Sequence, residues 1–169
     1  GDVYKRQEYR AQIIHSRAYT RLKEDKKALE YALAAFHTDS VQNNSNVYMY
    51  VCQLLANCYI ELSHQSEAIE YATKAIHIAH DQNNKPQETR AMITISRAQC
   101  ELAQNDKALA TLDQAIELLD GSADPKDLLM LVSLYTEKLQ ILMIQKKCDE
   151  AINTGKKTEV LIENMKRTG

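Results

Sequence analysis

The sequence predicts an all-α protein built from helix-turn-helix pairs that stack side by side. An alanine between a charged residue and Leu or Ile recurs at intervals of 40, 40 and 43 residues, at Ala28, Ala68, Ala108 and Ala151. Only four Gly and two Pro occur in the 169 residues, so the chain has few of the tight turns that a sheet protein needs. A repeat of this length is typical of arrays in which each unit covers the apolar face of its neighbour.

Two helix pairs are predicted in the first half, because apolar and small residues recur there at spacings of three and four. A charge run follows Leu22, and Asp25 is predicted to cap the second helix through its carboxylate. Residues 43–46 are Asn and Ser, which favour a loop, and residues 63–66 are predicted to form the turn of the second pair. The predicted helices span residues 8–22, 26–37, 47–62 and 67–78.

Two prolines mark the starts of the third and fourth pairs. The fixed φ angle and missing amide of Pro86 and Pro125 suit the first turn of a helix. Asn105 and Asp106 are predicted to cap the sixth helix, and residues 120–124 form the longest break. The predicted helices span residues 86–103, 105–119, 126–144 and 150–165.

The four pairs are expected to form a single array, with repeats at approximately residues 8–42, 46–82, 86–121 and 125–166. Residues 1–7 resemble read-through adaptor at the ends of assembled sequences, so they are interpreted as a non-native leader. Residues 167–169 are interpreted as a truncated end, because no polar helix follows to close the array against water. The native protein is therefore expected to be longer.

The composition narrows the classes of function. The formal net charge is −2 and no stretch is strongly basic, so nucleic acid is not expected as a direct partner. The four cysteines show no C-x-x-C spacing, and neither a zinc site nor a disulfide framework is predicted. No apolar run approaches the ~18 residues of a membrane span, so no membrane association is expected. A cytoplasmic location is expected, and a periplasmic one would fit if a signal peptide preceded residue 1.

The repeat resembles the tetratricopeptide repeat (TPR) family, in which a small and an aromatic residue lie three apart in the first helix and alanines recur in the second. The residues that carry the resemblance are Ser16, Tyr19, Ala28, Ala32 and Ala35 in the first pair, and Ala56, Tyr59, Ala68, Ala72 and Ala75 in the second. The third pair has Gln99 in place of the aromatic residue, and the closing proline of the family pattern is absent from every unit. The interval also exceeds the usual ~34 residues.

The resemblance implies a right-handed α-α superhelix, or solenoid, of four TPR-like helix pairs. Intervals near 40 are similar to those of repeat arrays in bacterial signalling and transcription-regulatory proteins. The implied function is a protein-interaction or peptide-sensing scaffold, cut from a larger protein of that kind. It is not expected to be an enzyme, and no catalytic, cofactor-binding or metal-binding residues are predicted.

The first helices of TPR-like pairs line the partner groove, so residues at matching positions in those helices are the candidate binding residues. They are Arg10, Ile13, Arg17, Tyr50, Gln53, Asn57, Arg90, Ile93 and Arg97. The planar guanidinium of Arg binds carboxylates through two hydrogen bonds, which predicts a protein or peptide partner with an acidic segment. The family's lysine–asparagine carboxylate clamp is not carried over, because Ile13 and Leu54 stand at its positions.

Three alternatives remain at this point. The arginines can be ordinary solvated helix residues, with Arg97 paired to Glu101 one turn away. His77 and His80 have a spacing that suits a metal, although no third ligand is evident. The chain can also be a structural oligomerisation module in which the terminal repeats, with Val160, Leu161 and Met165 exposed, stack on another copy.

Overall fold

The computed structural model describes residues 1–168, with every side chain in that range except those of Asp2, Lys5 and Arg6. These residues form α-helices and no strands. The helices are α1 (Asp2–Arg21), α2 (Asp25–Phe36), α3 (Asp39–Gln42), α4 (Ser45–Glu61), α5 (Gln65–Asp81), α6 (Lys85–Glu101), α7 (Asn105–Leu119), α8 (Pro125–Ile144) and α9 (Cys148–Thr168). The predicted all-α class and its helix pairs are thus confirmed.

The chain divides into two compact units. The first unit is Gly1–Asn83, in which α1 packs against α2, α2 against α4, and α4 against α5. The second unit begins at Asn84, and in it α6 packs against α7, α7 against α8, and α8 against α9. The repeating alanines are buried at each pair, which lets the two helix backbones approach closely.

The four pairs share one turn geometry. The second residue after the first helix of each pair has a left-handed backbone, with φ between 56° and 59° at Lys23, Ser63, Ala103 and Lys146. The next amide then donates back five residues, for example Gln104 N to Gln99 O at 2.8 Å. This is the Schellman arrangement, which usually places Gly at the left-handed position. None of the four turns has glycine there, so sequence inspection gave no signal for it.

The structure corrects the predicted caps of two helices. Asp25 is the first residue of α2, and Glu24 is its N-cap without a side-chain hydrogen bond. Asn105 and Asp106 likewise lie inside α7, after the N-cap Gln104. The carboxylates of Asp25 and Asp106 still interact favourably with the helix dipole in the first turn.

The prolines act as predicted. Pro125 is the first residue of α8, and the Asp124 carboxylate accepts from Lys126 N at 2.8 Å. Pro86 lies in the first turn of α6 behind the N-cap Asn84, whose side chain accepts from Gln87 N.

Two further differences concern helix extent. The helix α3 was missed because four residues are too few for an apolar period, yet its Val41 is fully buried in the first unit. The helix α1 begins at Asp2, whereas residues 1–7 were excluded from the prediction. The interpretation of residues 1–7 as a non-native leader remains a prediction. The predicted truncated end, residues 167–169, includes Gly169, which lies outside the described residues.

Within residues 1–168, none of the helices combines the length and apolar composition that a membrane crossing requires.

Candidate partner-binding face

A recurring hydrogen bond holds the first helix of a pair against the second. This contact determines which side of the first helix, and so which candidate residues, face away from the pair. In the first pair, the Ser16 hydroxyl donates to the carbonyl of Ala28 at 2.8 Å. In the third pair, Ser96 makes the same bond to Ala108 at 3.3 Å. Both serines are buried, so each hydroxyl needs this acceptor.

Stacked tyrosines complete the joints of the first unit. The rings of Tyr19 and Tyr31 lie 5.4 Å apart, and those of Tyr59 and Tyr71 lie 5.6 Å apart, both nearly parallel. Burial raises the pKa of the Tyr59 and Tyr71 hydroxyls, because the ionised form is poorly solvated there. These tyrosines are therefore packing residues.

On the first unit, the candidate residues fall into an exposed and a buried group. Arg10, Arg17 and Asn57 are exposed, and Tyr50 is 38% exposed. Gln53 is buried and donates from Nε2 to Asn57 Oδ1 at 2.9 Å. Gln53 therefore positions Asn57 and offers little surface of its own.

Ile13 is half-buried and packs against the core of the first unit, which includes Val51 and Leu55. The side chain of Ile13 thus contributes to packing at the edge of the face.

The open part of this face is positively charged. Within the first unit, no described carboxylate lies within ion-pair distance of Arg10 or Arg17. The helix α4 carries a single charged residue, Glu61, and this pairs with Lys23 at 3.6 Å. A shallow depression of about 290 Å³ adjoins Arg17 and Arg21 and has Ile14 and Ala18 as its apolar wall.

The equivalent arginine of the second unit is engaged. Arg97 of α6 binds Glu137 of α8, with Nε donating to Oε1 at 3.1 Å and Nη2 donating to the same oxygen. Glu137, from the next first helix, is a partner that the sequence did not indicate, and the pairing of Arg97 with Glu101 stays a prediction. Ile93 is half-buried against the core of the second unit, and Arg90 is exposed.

Glu137 was missed because the interval lengthens from 40 to 43 residues before the fourth pair. Counting from the turn residue Lys146, Glu137 is the counterpart of Leu54 in the second pair. The second pair therefore has Leu54 at the position where the fourth pair has the carboxylate of Glu137.

Two of the cysteines are buried in the first unit. Burial raises the pKa of the Cys52 thiol to about 11 and also raises the pKa of Cys58, so both are protonated at neutral pH. Among the described residues, no group of three His, Cys, Asp or Glu side chains is arranged to hold a metal ion.

Comparison with known proteins identifies the fold. Neither a protein-family model nor a curated protein matches the chain. Aspartyl phosphate phosphatase F from Bacillus subtilis is structurally similar, with a TM-score of 0.81, 18% identity, and coverage of 94% of this chain and 41% of that one. A TPR-like protein from Chlorobium tepidum has a TM-score of 0.63 and 14% identity, covering 82% of this chain and 97% of that one.

The TPR-like repeats of a kinesin light chain from Podospora anserina give a TM-score of 0.78 at 16% identity, covering 94% of this chain and 76% of that one. This chain has a TPR-like fold. The present chain spans less than half the length of the Bacillus protein.

Proposed function

We propose that this chain is a non-catalytic protein-interaction module that holds an acidic peptide segment on the face formed by α1 and α4. The observation that carries the proposal is the contrast between Arg17 and Arg97, which lie at the same repeat position. Arg97 has a carboxylate, Glu137, supplied by the next first helix of its unit. Arg17 has Leu54 at the counterpart of Glu137, and Leu54 offers no acceptor.

A carboxylate of a partner would complete at Arg17 the contact that Glu137 completes at Arg97. Exposure of the Arg17 and Arg10 side chains leaves their donors accessible, and Asn57 is oriented by Gln53 at the same face. Long-range attraction from the arginines would speed association with an acidic segment. Affinity should fall as salt is added, because exposed charges are screened within about 10 Å at 0.1 M ionic strength.

The test uses a fluorescein-labelled polyglutamate peptide and fluorescence anisotropy. Arg17→Gln should weaken binding by about fivefold or more, and Arg17→Lys should weaken it as well, because an ammonium lacks the planar fork. Arg97→Gln is the matched control, since it removes an exposed arginine of equal charge whose fork is already engaged. Equal losses for Arg17→Gln and Arg97→Gln, or no loss for either, would remove the proposal.

A further inference from the structure

The second unit contains a solvent-accessible cavity between α8, α9 and the loop that joins α7 to α8. Its volume is about 440 Å³, which falls in the range of small-ligand pockets. The apolar walls are Leu128, Leu131, Val160 and Leu161, and the ring of Tyr135 also lines the cavity. Val160 is 61% exposed, so this wall can be reached from solvent.

The first unit shows what fills the corresponding space. The helices α2, α4 and α5 correspond to α7, α8 and α9 when the repeats are aligned on their buried alanines and left-handed turns. In the first unit, the Phe36 ring lies 5.3 Å from the Tyr48 ring and 5.5 Å from the Tyr71 ring. Of these three rings, that of Tyr48 is the one whose counterpart, Leu131, lines the cavity of the second unit.

In the second unit, the same three positions carry smaller side chains. Ile116 replaces Phe36, Leu131 replaces Tyr48, and Thr154 replaces Tyr71. Two other differences lie at this place. Tyr135 lines the cavity where the first unit has Cys52, and a loop stands where α3 packs against α4 in the first unit. Leu131 leaves open the place that the Tyr48 ring fills in the first unit.

The rim of the cavity carries more positive than negative charge. Lys156 and Lys157 lie on the α9 side, and Asp120 lies on the loop side. Lys157 is the counterpart of Lys74, whose ammonium sits 4.6 Å from the centre of the Tyr71 ring in the first unit. A lysine at this position can therefore cover an aromatic ring by a cation–π contact.

We propose that this cavity binds an aromatic side chain of a protein partner, in a peptide that has an acidic residue next to the aromatic one. The ring would take the place that Tyr48 occupies in the first unit, against Leu131 and Tyr135, with Lys157 at the rim. The neighbouring carboxylate would pair with Lys156, away from Asp120. This site is separate from the α1–α4 face and does not depend on the function proposed for it.

The experiment uses an acetylated, amidated Gly-Trp-Glu-Gly peptide. The chain contains no Trp, so tryptophan emission reports on the peptide alone. The expected result is a saturable blue shift with the natural chain, and affinity at least threefold weaker for the Gly-Trp-Gln-Gly peptide. Absence of a saturable blue shift would overturn the proposal.

Two variants locate the site. Leu131→Tyr restores the residue of the first unit, should fill the cavity, and should reduce peptide affinity at least tenfold while circular dichroism remains that of a folded helical protein. The double variant Lys156→Gln with Lys157→Gln changes only exposed side chains and should abolish the preference for the Glu peptide. Unchanged affinity in Leu131→Tyr or an undiminished Glu preference in the lysine variant would overturn the proposal.

Discussion

The two units use the same joint positions with different chemistry. In the first unit, Tyr59 stacks on Tyr71. Forty residues later, the Thr111 hydroxyl donates to Gln99 Oε1 at 2.9 Å across the same joint. An aromatic contact and a polar contact thus support one backbone geometry, so the side chains at these positions are free to set local stability and surface properties.

The largest expected effect comes from breaking the aromatic joint. Tyr71→Ala should lower the free energy of unfolding by about 3 kcal/mol, because it removes a large ring that contacts Tyr59 and Phe36. Thr111→Ala, the matched change in the second unit, should cost about 1 kcal/mol, the typical value of one hydrogen bond. Urea unfolding followed by circular dichroism measures both. Equal losses would contradict the distinction between the joints.

The fold was predictable because its signals are local and repeated. Alanine at a fixed interval and proline at two helix starts are legible in the sequence without knowledge of contacts. Helix α3 has no such signal, and the left-handed turns are occupied by Lys, Ser, Ala and Lys in place of the expected Gly.

The candidate site was less predictable, because it depends on contacts between distant residues. The arginines were recognisable by their position in the repeat. That Arg97 already binds a carboxylate was not recognisable, because the longer last interval hid the position of Glu137 in the repeat. The burial of Gln53 and the partial burial of Ile13 also follow from tertiary packing, because Gln is usually exposed and the adjacent Ile14, of the same residue type, is exposed. Roles of the nine candidate residues in binding remain predictions.

A second comparison concerns pH, because the first unit contains two buried thiols. Burial raises the pKa of Cys52 from 9.0 to about 11, so the folded state retains this proton more tightly than the unfolded chain. Its stabilising contribution is complete below pH 9 and is lost as pH rises from 9 toward 11. The difference in unfolding free energy between the natural chain and Cys52→Ala should therefore shrink by about 1–2 kcal/mol across that interval. A difference that stays constant from pH 8 to pH 11 would contradict the raised pKa.

The buried serines give a smaller contrast. Ser16→Ala should destabilise the protein by about 1 kcal/mol, because it deprives the Ala28 carbonyl of its side-chain donor. Ser96→Ala should cost less, since its bond to Ala108 is longer. Thermal unfolding of the two variants measures this order. A larger loss of stability in Ser96→Ala than in Ser16→Ala would contradict the prediction that the shorter bond contributes more.

The smallest effect is a gain in stability. Ala103 has φ of 59°, a conformation that disfavours any side chain, so Ala103→Gly should stabilise the chain by about 1 kcal/mol. Ala110→Gly, in the exposed interior of α7, is the matched control and should destabilise it by about 1 kcal/mol. Effects of the same sign in a urea titration would contradict the turn geometry.

The contrast between an available Arg17 and an engaged Arg97 is tested most directly by nuclear magnetic resonance. Backbone amide shifts would be followed while a short polyglutamate peptide is titrated into the natural chain. Our account predicts saturable shifts at Arg10, Arg17 and Asn57, with Arg97 unmoved. Shifts of equal size at Arg97, or none on α1 and α4, would contradict it.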